Sequence, residues 1–120
     1  MQHKVRLAGI DAPERAQPFG QRSRESLEDL VAGRTVIVET HKKDRYGRYV
    51  GKVIVNSRDV NLEQIRRGMA WFYREYAHEQ SAADRQSYDQ AETDARSSHF
   101  GLWVEKAPIA PWDYRRAGRR

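Results

Sequence analysis

The chain opens on an alternation. In "KVRLAGI" (residues 4–10), Val5 and Leu7 stand against Lys4 and Arg6, the period of a strand with one wet face. "QPFGQRSRESLEDLVAGR" (17–34) switches to a helical period. Phe19, Leu27, Leu30 and Val31 fall on one stripe, Pro18 suits a first turn, and Gly33 suits a left-handed stop. "TVIVET" (35–40) and "RYVGKVIV" (48–55) are β-branched runs on either side of "HKKDRYG", and they predict a hairpin with a basic tip. "NSR" (56–58) is a second turn, with a short return strand from Arg58 to Val60. A short helix is predicted from Asn61 as N-cap, with Gln64 three residues on, to Gly68. Leu62 and Ile65 face inward in it. The longest helix is expected over 81–97, where Ser81 and Asp84 form a capping-box variant and Tyr88, Ala91 and Ala95 mark the buried stripe. "HFGLW" (99–103) turns on Gly101 and places Trp103 in the core.

Strands carrying one helix between them and two after them predict a small α+β domain, and that order suits an OB-type barrel. At 120 residues there is room for one core, assigned to 1–106. From Ala107 the chain carries prolines and ends "YRRAGRR", a basic tail (107–120) expected to be poorly ordered at its end. No apolar run approaches the roughly 18 residues needed to span a bilayer, so no membrane partner is expected. The start alternates, unlike the solid apolar block of a signal peptide.

Charge and composition narrow the chemistry. Charged residues make up 32% of the chain and the net charge is +5, which points to an anionic partner such as nucleic acid, although a basic surface also serves solubility alone. With no cysteine, disulfides, thiolate metal sites and a Cys nucleophile are all excluded. The histidines at 3, 41, 78 and 99 lack the spacing of a zinc site. No Gly-rich phosphate loop or G-x-S-x-G elbow occurs.

What remains is "RLAGIDAPE" (6–14), a strand running into two carboxylates three residues apart. Asp11, fixed by the turn at Pro13, offers a hard oxygen ligand for Ca²⁺ or Mg²⁺, and the Ala12 carbonyl can add another. Glu14 stands close enough to hold a water as general base. Taken alone, Asp-Ala-Pro-Glu is also an ordinary turn. Arg6 and Arg48 change the balance, because guanidinium forks stabilise the charge that builds on phosphoryl oxygens during phosphodiester cleavage. Arg6 is expected to point from its strand toward Asp11. "KKDRYGRY" (42–49) interleaves cations with Tyr46 and Tyr49, the composition of a single-strand-binding surface. In "WFYREY" (71–76), Trp71 and Phe72 are expected in the core, while Tyr73 and Tyr76 are free to stack on a base.

"RLAGIDAPE", then "DRYGR" 33 residues after Asp11, then "VNLEQIRRGMAW" and "FGLW" resemble, in this order, the staphylococcal nuclease-like (thermonuclease) family. The resemblance implies an OB barrel and a Ca²⁺-dependent phosphodiesterase that acts on single-stranded DNA and RNA and leaves 3′-phosphate ends. It implies Asp11 and the Ala12 carbonyl as metal ligands, Glu14 as general base, and Arg6 and Arg48 as the phosphate-binding arginines. It also implies Arg45, Tyr46, Tyr73 and Tyr76 at the nucleotide pocket. Family members are often secreted and usually carry two upstream strands with an Asp-Gly-Asp-Thr-like stretch that supplies a second metal aspartate. No "DGDT" occurs in the 120 residues, so the barrel is expected to be incomplete at its N-terminus. A polypeptide that starts earlier, or a homodimer made by strand exchange, would complete it. The competing expectation is an OB-type module that grips nucleic acid or protein without cutting.

Overall fold

The computed structural model describes residues 3–118. In chain order its elements are β1 (Val5–Leu7), β2 (Ile10–Asp11), α1 (Gly20–Val31), β3 (Ile37–Lys43), β4 (Tyr49–Val55), β5 (Arg58–Asp59), α2 (Val60–Arg66), β6 (Trp71–Phe72), α3 (Ala82–Ser97) and α4 (Pro111–Ala117). Two 3₁₀ segments, Arg74–Glu79 and Gly101–Val104, lie on either side of α3.

β4 is the centre of a mixed sheet. It pairs parallel with β1, with Arg6 opposite Val50, and antiparallel with β3 and β5. β2 and β6 form a separate antiparallel ladder. The fold is therefore α+β, as the pattern predicts. The barrel is not found: among the described residues β1 and β3 lie at opposite edges of an open sheet and do not pair with each other.

The first strand is split in two, and the split matters for the site. Ala8 N–H still bonds to Gly51 O on β4 (2.9 Å), but Gly9 O accepts from Tyr73 N–H beyond β6 (2.9 Å). Between the two sheets the backbone turns at Gly9 with φ +76°, where an added Cβ would collide with the Gln80 side chain. Arg6 therefore sits on one sheet and Asp11 on the other.

Three apolar clusters lie beneath these strands. One gathers Ile10, Ile65, Phe72, Tyr88 and Ala91, a second Trp71, Ala95, Leu102 and Trp103, and a third Val53, Val55 and Val60 under Leu27 and Leu30 of α1. Trp71, Phe72, Trp103 and the α3 stripe are thus buried as their spacing predicts. The backbone crosses itself where Leu102 N–H bonds to Gly68 O (2.8 Å), and a side chain on Gly68 or Gly101 would strike the opposing main chain. Gly33 adopts the expected left-handed conformation (φ +69°), and Ser81 caps α3 by accepting from Asp84 N–H (3.1 Å).

Four details differ from the sequence expectation. α1 begins at Gly20, because Phe19 takes a left-handed conformation (φ 71°) that helical geometry excludes. β3 runs on through Lys43, so the hairpin tip is shorter than "HKKDRYG", and a register shift between Thr40 and Lys42 bends it. Asn61 does not cap α2. Asp59 does, accepting from Leu62 N–H (3.0 Å), while Asn61 is fully buried and bonds to Val53 N–H, Ala8 O and Gly51 O. Asn61 is the second residue of α2, past the cap position, and its side chain ties Ala8 and β4 to the helix. Finally, the described residues contain four α-helices rather than three, the fourth inside the stretch read as tail. The expected disorder falls on the chain end, which lies outside the described residues.

Candidate active site

The kink at Gly9, the tip of the β3–β4 hairpin, the 3₁₀ segment after β6 and α4 enclose an open cleft of about 1130 Å³. Arg6, Asp11, Ala12, Glu14, Arg45, Tyr46, Arg48, Tyr73 and Tyr76 line it, whereas Tyr49, read from the sequence with the basic hairpin, does not.

The hairpin tip is built on Asp44. Its Oδ1 accepts from Tyr46 N–H (2.9 Å) and Arg48 N–H (3.0 Å), which closes a tight turn at Gly47. Its Oδ2 pairs with Arg48 Nε (2.8 Å) and with Arg6 Nε (3.4 Å). Burial pushes the Asp44 carboxyl up, but the backbone N–H donors and the Arg48 guanidinium hold it below the usual carboxylate range. Arg6 is held from the far side by Glu79, whose Oε2 also takes Lys42 Nζ (3.0 and 2.8 Å). Arg6 is thus ion-paired with Asp44 and Glu79, and its charge pulls the Asp11 carboxyl down against the rise from burial, without an ion pair to it. Asp44, the first residue of "DRYGR", and Glu79, which carried no signal in the sequence, fix Arg6 beside Arg48.

Aromatic rings floor the space between. Arg6 lies over the Tyr76 ring (4.9 Å), Tyr76 leans on Tyr73 (4.7 Å), and Tyr73 stacks flat on Trp112 of α4 (5.1 Å, 7°). Tyr46 stands at the tip, 67% exposed, with the Arg45 and Arg48 guanidiniums 5.1 and 5.6 Å from its ring.

At the other end stand the carboxylates. Arg115 of α4 donates Nη2 to Asp11 Oδ2 (2.7 Å) and Nη1 to both Asp11 Oδ1 and Glu14 Oε2 (3.1 Å each). Burial pushes the Asp11 carboxyl up, and the Arg115 bonds and charge offset this only in part. Asp11 and Glu14 thus converge on one point that already accepts positive charge. The hard oxygens of that pair, with the Ala12 carbonyl, suit a divalent cation such as Ca²⁺. Among the described residues no third His, Asp or Glu joins them, so carbonyl and water oxygens would complete the shell.

The profile of the family described as "Staphylococcal nuclease homologue" matches residues 4–105. The chain belongs to the staphylococcal nuclease homologue family. It is 42% identical over 113 residues to a Haemophilus influenzae protein named "Uncharacterized endonuclease", covering 94% of this chain and 60% of that protein. It is 40% identical over 122 residues to "Protein ParB" of Escherichia coli, covering 94% of this chain and 67% of that one. "Staphylococcal-like nuclease CAN1" of Arabidopsis thaliana is 34% identical over 116 residues, covering 97% of this chain and 34% of that protein. The chain thus spans from about a third to two thirds of these relatives.

Sequence reasoning missed Arg115 and Trp112, because a seven-residue helix in a basic, proline-containing stretch reads as tail. Pro111 at the first helical position, with Asp113 in the first turn and Arg115 and Arg116 in the last, is the signal that could have found it.

Proposed function

We propose that the cleft hydrolyses phosphodiester bonds of single-stranded DNA and RNA in a Ca²⁺-dependent reaction that leaves 3′-phosphate ends. The observation that carries this reading is the convergence on one cleft of two clustered arginines, two clustered carboxylates and exposed aromatic rings. The nucleotide lies across Tyr73 and Tyr76, with Tyr46 and Arg45 at the hairpin tip. Arg6 and Arg48, pinned side by side by Asp44, face the phosphoryl oxygens and take up the charge that develops there. Glu14 accepts the proton of a water as its oxygen bonds to phosphorus. The bond to the 5′-oxygen then breaks, and that oxygen takes its proton from solvent. Asp11 and the Ala12 carbonyl would hold the Ca²⁺ ion, which when bound neutralises charge on the phosphoryl oxygens.

The test is digestion of heat-denatured DNA with Ca²⁺ or with a chelator. Glu14→Gln and Arg48→Ala should each lower the rate about 100-fold or more. Rates within a few-fold of wild type would remove those assignments. Retained DNA binding without cleavage under every condition would leave a binding module in place of the enzyme.

A further inference from the structure

We infer that Arg115 is a built-in counter-charge of this cleft: it binds Asp11 and Glu14 together and, by competing for them, sets how readily that pair takes up a divalent cation. The inference rests on the reading of Asp11 as a cation ligand with the general base Glu14 beside it.

Arg115 is not a stray side chain of a tail. The segment leading to α4 is fastened by Gln17 Nε2, which donates to Ile109 O (2.6 Å), and by Ala110, buried against the second apolar cluster. Pro111 is fully buried, and Trp112 is stacked on Tyr73 and edge-on to Trp71 (5.4 Å). One helical turn beyond Trp112, Arg115 faces the cleft with its side chain 30% exposed. Its guanidinium makes three bonds, two to Asp11 and one to Glu14. The paired geometry on Asp11 is the fork that lysine cannot reproduce.

Two neighbouring carboxylates repel, and each would turn away from the other without a shared cation. Arg115 supplies that cation from within the chain. A divalent ion at the same oxygens would do the same work with more charge. It would also meet the guanidinium at close range, so the two compete for Asp11. The carboxylates then need not move when one cation replaces the other, while the positive charge of Arg115 raises the concentration at which the site fills.

The experiment is calorimetric titration of the whole chain with Ca²⁺ alone, without nucleic acid. Arg115→Gln should half-saturate at roughly tenfold lower Ca²⁺ than wild type, since a unit charge a few ångströms away is removed. Arg115→Lys, which keeps the charge and loses the fork, should fall between them. Arg66→Gln, which removes an equal charge paired with Glu63 away from the cleft, should bind as wild type does. Equal or weaker Ca²⁺ binding by Arg115→Gln, with an unchanged near-ultraviolet dichroism spectrum, overturns the inference, and so does silence in wild type and variant alike. Because no substrate is present, the outcome is independent of cleavage. Tighter binding in an enzyme that cuts nothing upholds Arg115 and removes the nuclease reading, whereas cleavage with no effect at Arg115 does the reverse.

Discussion

The two ends of the cleft solve opposite electrostatic problems. At the strand–turn end, the carboxylates of Asp11 and Glu14 share the single guanidinium of Arg115. At the hairpin end, Arg6, Arg48 and Lys42 share the carboxylates of Asp44 and Glu79. The first group is left short of positive charge and the second short of negative charge. Each end therefore has an unmet demand, one for a cation and one for an anion, and the two face the same open space. Each is also held by a counter-charge from a distant part of the chain, so like charges stay clustered before a ligand arrives.

The sharpest way to break the comparison is to dissolve the hairpin end while leaving its turn intact. Asp44→Asn does this. An asparagine Oδ1 still accepts from Tyr46 and Arg48 N–H, so the turn persists, but the ion pairs with Arg48 and Arg6 are lost. If pre-oriented arginines stabilise the transition state, kcat on single-stranded DNA should fall about 30-fold, with a smaller change in KM. A kcat within twofold of wild type would mean that Asp44 serves the turn alone.

Much of this arrangement was legible in the sequence, and what was not has physical causes. The residues of the cleft could be read because each lies in a local pattern: a carboxylate pair at a strand end, a basic hairpin tip, a run of aromatics. Their anchors could not. Glu79 lies 73 residues from Arg6 and Arg115 lies 104 from Asp11, and no periodicity links such pairs. Asn61 misled for a related reason. Its type and position fit a cap, but the chain buries it between Ala8 and β4, where its side chain bonds to three backbone groups and is itself fully satisfied, and a buried unpaired side chain costs more than a lost cap. The α+β class followed from the order of periods. Closure of a sheet depends on which edges meet, and strand patterns do not encode that.

A smaller effect separates the far anchor from the near one. The Glu79 side chain is 6% exposed, and its Oε2 holds both Arg6 and Lys42. Burial pushes the Glu79 carboxyl up, but Lys42 and Arg6 pull it below its ordinary 4.5. A carboxyl lowered by folding stabilises the native state above its unfolded value, and that stabilisation is lost as pH falls through the lower folded value. Glu79→Gln should thus cost about 1.5–3 kcal/mol at pH 7, the range for hydrogen bonds to charged groups. The gap to wild type should persist at pH 5 and close in stronger acid. Denaturant unfolding at pH 7, 5 and 3 measures it, and a gap that is constant across the series would exclude the ion pairs as its cause.

The smallest effect is expected at the hairpin tip, and it distinguishes charge from stacking within the basic end. Tyr46 is 67% exposed and carries no charge, yet two guanidiniums flank its ring. Removing it as Tyr46→Ala should leave stability within about 0.5 kcal/mol, because the ring is buried against nothing. It should weaken single-stranded DNA binding about fivefold, the lower end of what base stacking contributes. The decisive quantity is the salt dependence. Counterion release counts phosphate contacts, so Tyr46→Ala should lower the affinity at every salt concentration without changing the slope, whereas Arg45→Gln should reduce the slope by about one contact. A slope that falls with Tyr46→Ala would mean that the ring orients Arg45 and Arg48 on the phosphates instead of meeting a base. The hairpin end would then act through charge alone, as its counterpart across the cleft does.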